Sequence, residues 1–103
     1  MTTVIIKKFN NSIVQVECSG HTENEIVCAA LSSITQTAVM GVLKITNNKA
    51  EFKRNDDGYL KITLPKEMDE KQRHDCDVIL ETMLLGIKDL QEGFSKLIKL
   101  EER

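Results

Sequence analysis

The stretch TVIIKKFNNSIVQVEC, residues 3–18, sets the architecture because it predicts two adjacent antiparallel strands. Residues 3–9 are rich in residues that favour strands, and residues 12–18 alternate apolar and polar side chains with a period of two. Asn10 and Asn11 separate the two segments, and asparagine tolerates the positive φ angles of a tight hairpin turn. We therefore expect a half-buried hairpin that needs helices on one face.

A helix is predicted next, at about residues 24–43, because apolar residues recur there at helical spacing. The residues on this apolar face are Val27, Leu31, Ile34, Ala38 and Val42. Two signals compete for the start of the helix: Thr22 and Glu25 have the spacing of a capping box, and Asn24 is an alternative N-cap. The sequence leaves this choice open.

A second hairpin is predicted at residues 49–54 and 58–64, because Asp57-Gly58 is a strong signal for a tight turn and Pro65 ends the strand. A long helix follows at about residues 69–100, where apolar residues recur at alternating steps of four and three. They are Cys76, Leu80, Met83, Ile87, Leu90, Phe94 and Leu97. This stripe either covers the sheet or joins two copies in a homodimer.

The predicted order ββαββα indicates the α+β class, a two-layer sandwich of an antiparallel four-stranded sheet and two helices. The 103 residues are enough for one domain, residues 1–103. The net charge of −2 is unlike that of a basic nucleic-acid binder, so we expect no direct nucleic-acid partner. No apolar run approaches the roughly 20 residues of a membrane span, and the N-terminus lacks the order of a signal peptide. We expect a cytoplasmic protein without a membrane partner.

The chain has three cysteines, Cys18, Cys28 and Cys76, and their odd number and irregular spacing do not suggest a disulfide framework. There is no CxxC motif and there are only two histidines, so we expect no metal site and no other cofactor. Cys18 and Cys76 are predicted to be packing residues, since they belong to a strand and to the apolar stripe of the last helix.

The stretch GHTENEIVCAALS, residues 20–32, carries the candidate chemistry. His21 follows a strand, and Cys28 lies in the first turns of the next helix. The positive end of a helix dipole stabilises a thiolate, and a nearby imidazole can take the thiol proton and return it to a leaving amine. Backbone N–H groups at the helix start can bind an oxyanion. These are the parts of a cysteine hydrolase.

Each of these residues also has a structural interpretation. Cys28 in an amphipathic helix is more often a small buried hydrophobe. Glu25 either orients His21 as an acidic third member or completes the capping box, and the cap is favoured by the sequence alone. Ser32, one turn after Cys28, either lines the site or bonds back to the helix.

Several short segments resemble the signature of the ribosomal-processing cysteine protease family, Prp. They are Gly-His at residues 20–21, IVCAA at 26–30, Ser32, and TQTA at 35–38. The resemblance implies an α+β fold over the whole chain and a homodimeric endopeptidase. Its substrate would be a large-subunit ribosomal protein precursor, from which it removes a short N-terminal extension.

Residue by residue, the resemblance makes Cys28 the nucleophile and His21 the general base. Glu25 matches an acidic position that is usually Asp in the family, and Ser32 matches a serine of the substrate pocket. Gly20, which precedes the histidine in the signature, is a further candidate substrate-binding residue. The family usually has a longer, glycine-containing loop between the histidine and the cysteine. Here only residues 22–27 separate them, so the loop is expected to open less easily.

Two other functions remain open from the sequence. A non-catalytic ribosome-associated or protein-binding domain of the same fold predicts an unreactive, buried Cys28. A thiol-dependent enzyme that acts on small amides or esters predicts a small pocket beside Cys28 that is closed to a peptide chain.

Overall fold

A computed structural model describes all 103 residues as a five-stranded sheet and two helices. The strands are β1 (Thr2–Phe9), β2 (Ser12–Ser19), β3 (Glu51–Arg54), β4 (Leu60–Thr63) and β5 (Ile98–Glu102). The helices are α1 (Glu25–Met40) and α2 (Glu70–Gly93). The strand order in the sheet is β3-β4-β2-β1-β5. The predicted two-layer α+β class is confirmed.

The first hairpin has the predicted turn. Asn10 and Asn11 adopt φ angles of 51° and 68°, the left-handed conformation that a tight turn between twisted strands requires. β1 and β2 pair antiparallel, with Ile6 opposite Val16. The other edge of β2 pairs antiparallel with β4, so β2 lies in the middle of the sheet.

The prediction of a wholly antiparallel, four-stranded sheet is wrong in one element. The last helix ends at Gly93 instead of continuing to about residue 100, and β5 then pairs parallel with β1. Gly93 is a poor helix residue, and the backbone beyond it gains hydrogen bonds from β1, including the Thr2 N–H to the Leu97 carbonyl at 3.0 Å. Ile98 and Leu100 alternate with polar residues, a strand period that the longer apolar stripe conceals.

The first helix begins after Asn24, which settles its N-cap. The Asn24 side chain accepts hydrogen bonds from the N–H groups of Ile26 and Val27 at 3.0 and 3.2 Å, and no capping box forms between Thr22 and Glu25. After Met40 the chain widens into a π-helical turn, Gly41–Ile45.

By length and composition, the 21 residues Glu25–Ile45 are apolar enough to cross a membrane, contrary to our expectation that no segment is. In this structure the inner face of α1 packs in the hydrophobic core, as the core helix of a globular domain does. Its buried residues are Val27, Leu31, Thr35, Ala38 and Val39.

The apolar stripe of α2 belongs to the same core. Cys76, Leu80, Met83, Leu84 and Ile87 are buried against the sheet and α1. These positions of the stripe therefore cover the sheet of their own chain. The homodimer stays a prediction.

The fifth strand is tested by two neighbouring substitutions. Ile98 is 1% exposed in the core, whereas the adjacent Lys99 points to solvent. We expect Ile98→Ala to lower the free energy of unfolding by about 2–5 kcal/mol because it leaves a cavity, and Lys99→Ala to change it by less than about 0.5 kcal/mol. Urea denaturation measures both values. Equal, small effects would mean that the C-terminal segment is not part of the core.

Candidate active site

Cys28 occupies the first turn of α1, four residues after the N-cap. Its backbone N–H donates to the Asn24 carbonyl at 3.1 Å, the first regular hydrogen bond of the helix. The N–H groups of Ile26 and Val27 are already bonded to the Asn24 side chain. The expectation that free N–H groups at the helix start bind an oxyanion is therefore not met at these three residues.

The Cys28 thiol rests against the backbone of Thr22. The Thr22 N–H donates to Sγ at 3.4 Å, and Sγ in turn lies 3.4 Å from the Thr22 carbonyl oxygen, to which the thiol can donate. One residue thus offers a donor for the thiolate and an acceptor for the thiol. Half-buried and not enclosed, Cys28 does not have the buried position expected of a purely structural cysteine.

The loop between His21 and Cys28 is tied together internally. The Asn24 N–H donates to the Thr22 hydroxyl at 2.9 Å, in addition to the N-cap bonds and the contact of Thr22 with Sγ. These hydrogen bonds would have to break for the loop to open, and the expectation that it opens less easily stays a prediction.

His21 follows β2 and is held through its backbone. Gly20 has a φ of +89°, and the His21 carbonyl accepts a hydrogen bond from the Met1 amino group at 2.9 Å. The exposed imidazole makes no hydrogen bond with Cys28 or with any other side chain. It packs instead on Gly58 of the β3–β4 connection, since a Cβ at Gly58 would lie 2.7 Å from Cε1 and 2.8 Å from Nε2 of the ring.

These residues border one open cleft of about 280 Å³. Four of the five candidate site residues line it: Gly20, His21, Cys28 and Ser32. The fifth, Glu25, is exposed, does not line the cleft and makes no hydrogen bond with His21. The structure therefore brings the predicted nucleophile and base to one cleft and leaves the predicted acid outside it.

The second hairpin forms a wall of the cleft that the sequence analysis missed. It contributes Arg54, Asn55, Asp56, Gly58, Tyr59 and Leu60. The Asp-Gly signal predicted this hairpin, but its position depends on the pairing of β4 with β2, which no local pattern reveals. The other wall is α1, from Cys28 to Gln36.

The surroundings of the three thiols differ. Burial, with a smaller contribution from the carboxylate of Glu17, raises the pKa of Cys18 to about 12. Burial also raises the pKa of Cys76, which is fully enclosed. No group of three or more His, Cys, Asp or Glu residues is arranged to hold a metal ion. The chemistry available in the cleft is that of a thiol, an imidazole and the polar hairpin wall.

Residues 1–99 match the family model described as cysteine protease Prp. The chain belongs to the Prp cysteine protease family. A search of curated protein sequences gives no significant match.

Several solved structures share the fold, among them two of a Prp protease. An essential ribosomal processing protease Prp from S. aureus, solved with a substrate peptide, superposes with a TM-score of 0.85 at 22% identity, over 100% of both chains. The same S. aureus protease with a covalently linked product peptide gives 0.85 at 24% identity, again over 100% of both. A Streptococcus mutans protein gives 0.79 at 23% identity, over 100% of this chain and 96% of that one.

Thiol labelling tests the site directly. At pH 8 a thiol with a pKa of about 12 is ionised in only about one molecule in ten thousand, and Cys18 and Cys76 are also buried. We expect iodoacetamide to modify Cys28 at least about tenfold faster than either of them in the folded protein. Peptide mapping by mass spectrometry gives the three rates. A Cys28 that reacts only in denaturant, together with the other two, would contradict this description of the site.

Proposed function

We propose that the protein is a cysteine endopeptidase that uses Cys28 as nucleophile and His21 as general base. One observation carries the proposal: both side chains line the same open cleft in a chain of the Prp family. Glu25 is not included in the catalytic group, because it does not line the cleft and makes no hydrogen bond or ion pair with His21. Gly20 and Ser32 are proposed to border the bound peptide.

The proposed reaction follows from these groups. The imidazole takes the thiol proton, and Sγ attacks the scissile carbonyl carbon to form a C–S bond. The tetrahedral intermediate collapses, the C–N bond breaks, and the amine leaves with the proton of the imidazolium. Water, deprotonated by the imidazole, then hydrolyses the thioester and releases the new carboxylate, while Cys28 recovers its proton.

The oxyanion needs a donor close to Sγ. We assign this role to the Thr22 N–H, which lies 3.4 Å from the sulfur and is directed at it. When Sγ becomes bonded to carbon, the negative charge moves to the neighbouring carbonyl oxygen, within reach of the same N–H group. The N–H groups of Ile26 and Val27 are not available, because they cap the helix.

The proposed substrate is a large-subunit ribosomal protein precursor with an N-terminal extension. Family membership supports this choice, and the cleft suits a peptide because it is open and extends along α1 from Cys28 to Gln36. An enzyme for small amides would need a small enclosed pocket, and the open cleft does not have that shape. We also propose that the protein acts in the cytoplasm and as a homodimer. Val78 and Leu85 on α2, 53% and 69% exposed, offer an apolar surface for a second copy.

A non-catalytic peptide-binding domain is the second candidate function. It is favoured by the missing hydrogen bond between His21 and Cys28. It predicts that the precursor binds without being cleaved. In cysteine proteases such contacts also tighten only when substrate binds, so cleavage is the deciding measurement.

We expect purified protein to cleave a synthetic peptide that spans the extension and the first mature residues of the precursor from the same genome. Cys28→Ser and His21→Ala should each lower kcat/KM at least about 10³-fold, because each removes a reacting group. Mass spectrometry of the products gives the cleavage site. Binding of the intact peptide without cleavage would favour the second candidate, and an unextended precursor would exclude this substrate.

Ser32 and Ser33 give a matched pair on α1. Ser32 lines the cleft, whereas Ser33 is exposed outside it. We expect Ser32→Ala to raise KM about threefold to tenfold through loss of one hydrogen bond to the peptide, and Ser33→Ala to leave KM unchanged. Steady-state kinetics on the same peptide provides both values. Equal KM values would remove Ser32 from the substrate-binding surface.

A further inference from the structure

The strand β3 forms an open edge of the sheet. It is last in the strand order, and all four of its residues, Glu51–Arg54, are exposed. It pairs with β4 in a regular register without a bulge, and it contains no proline. The outer side of such a strand presents backbone N–H and C=O groups that have no partner in the sheet.

Two hydrogen bonds show in which direction the backbone groups of β4 point. The Leu64 N–H, directly after β4, donates to the Val14 carbonyl of β2 at 2.9 Å. Because this direction alternates along an antiparallel strand, the even-numbered residues of β4 bond to β2 and the odd-numbered residues bond to β3. The Asn55 N–H, directly after β3, donates to the Tyr59 carbonyl at 3.1 Å, which agrees with the same alternation.

Phe52 and Arg54 therefore carry the free backbone groups of β3. Residues 51 and 53 lie opposite residues 63 and 61 of β4 and direct their N–H and C=O groups toward them. The corresponding groups of Phe52 and Arg54 point away from β4, about 6.6 Å apart along the strand. This is the spacing of alternate residues in any extended chain, so the edge fits the backbone of an extended peptide.

The free edge continues into the cleft that contains Cys28. Arg54, the last residue of β3, lines this cleft. Phe52 and Arg54 lie opposite the buried Ile62 and Leu60, so their side chains are on the face of the sheet that the helices cover. An extended peptide that passes Cys28 can therefore reach the Arg54 end of β3 within the same cleft.

A second copy of the chain is a less suitable occupant of this edge. Three of the four side chains of β3 are charged, Glu51, Lys53 and Arg54, and charged residues on an edge strand disfavour pairing between copies of one protein. The apolar surface that we propose for the homodimer belongs to α2 and not to β3. A peptide that reacts with Cys28 is the occupant that the cleft and the edge can share.

We propose that the precursor peptide binds as an additional strand on β3, with its backbone hydrogen-bonded to Phe52 and Arg54. These two residues are binding residues that recognise an extended main chain. The inference rests on the proposed function in one respect, the choice of a peptide as substrate. Alternate peptide side chains would then lie on the helix-covered face, beside the ring of Phe52, which is 39% exposed.

The peptide backbone is tested by N-methylation of one amide at a time in the synthetic precursor peptide. We expect at least two N-methyl groups, placed two residues apart on one side of the scissile bond, to lower kcat/KM at least about tenfold. Each removes a hydrogen bond and places a methyl group against β3. The amide between them should tolerate N-methylation within about twofold, because it points away from β3. Sensitivity without this period of two would overturn the proposal.

The edge itself is tested by hydrogen exchange, measured by NMR in the Cys28→Ser variant. We expect saturating peptide to slow exchange of the Phe52 and Arg54 amides at least about tenfold, because they gain hydrogen bonds. The Lys53 amide is the matched control: it already faces β4 and should change by less than about threefold. Equal changes at all three residues would overturn the proposal. So would protection without peptide that rises with protein concentration, because it would assign the edge to a second copy.

Two substitutions at one position separate the backbone group from the side chain. Phe52→Pro removes the outward N–H, and Phe52→Ala keeps it; proline is tolerated on an edge strand where its nitrogen faces outward. We expect KM for the peptide to be at least about threefold higher in Phe52→Pro than in Phe52→Ala. Equal KM values in two variants that both fold, as judged by circular dichroism, would contradict the proposal. The N-methyl scan decides if Phe52→Pro does not fold.

These outcomes are separable from failure of the proposed function. A peptide that is not cleaved, but protects the Phe52 and Arg54 amides, keeps this inference and makes the protein a peptide-binding domain. A peptide that is cleaved without protecting them keeps the proposed function and overturns this inference. A peptide that does not bind overturns the inference together with the proposed substrate.

Discussion

The pairing of β2 with β4 is the constraint on which the site depends. The two strands run antiparallel with Cys18 opposite Leu60, so the segment that follows β2 lies beside the segment that precedes β4. His21 belongs to the first of these segments and Gly58 to the second, and their contact is a continuation of the strand register. The same end of β2 leads directly into the loop that delivers Cys28. One ladder of backbone hydrogen bonds therefore sets the positions of Cys28, His21 and the hairpin wall relative to one another.

Two cysteines that border the cleft, Cys18 and Cys28, differ in how far their thiols are buried. Cys18 and Cys28 both border it, yet Cys18 points into the core from a central strand and its pKa is raised to about 12. Cys28 lies at a helix start, where it touches backbone N–H and C=O groups of Thr22. Burial in the sheet thus keeps the Cys18 thiol protonated, whereas Cys28, at the start of α1, is half-exposed to the cleft.

Whether a feature of this fold can be predicted from the sequence depends on how far apart in the chain its interacting residues lie. The first hairpin, the starts of both helices and the placement of His21 and Cys28 on either side of one short loop rest on signals within a few residues, and the sequence was sufficient for them. The fifth strand was missed because Phe94 and Leu97 continue the helical spacing, whereas its real partner is β1, 96 residues earlier in the chain. The hairpin wall was missed for the same reason, since the order of strands in a sheet is a long-range property.

Glu25 shows the opposite error, in which a local rule was correct but incomplete. Glu25 lies three positions before Cys28, and on a helix that spacing brings two side chains to nearby faces. His21, however, follows β2 and contacts Gly58, and neither belongs to α1, so nearness to the cysteine does not bring Glu25 to the histidine.

The short loop between His21 and Cys28 affects how a peptide can reach the thiol. Its residues are committed to the N-cap, to the Thr22 hydroxyl and to Sγ, so opening it means breaking several hydrogen bonds together. Access for a peptide is less costly from the opposite side, between α1 and the second hairpin, where β3 is an exposed edge strand. In this chain a peptide would therefore enter through the cleft, which is already open beside Cys28.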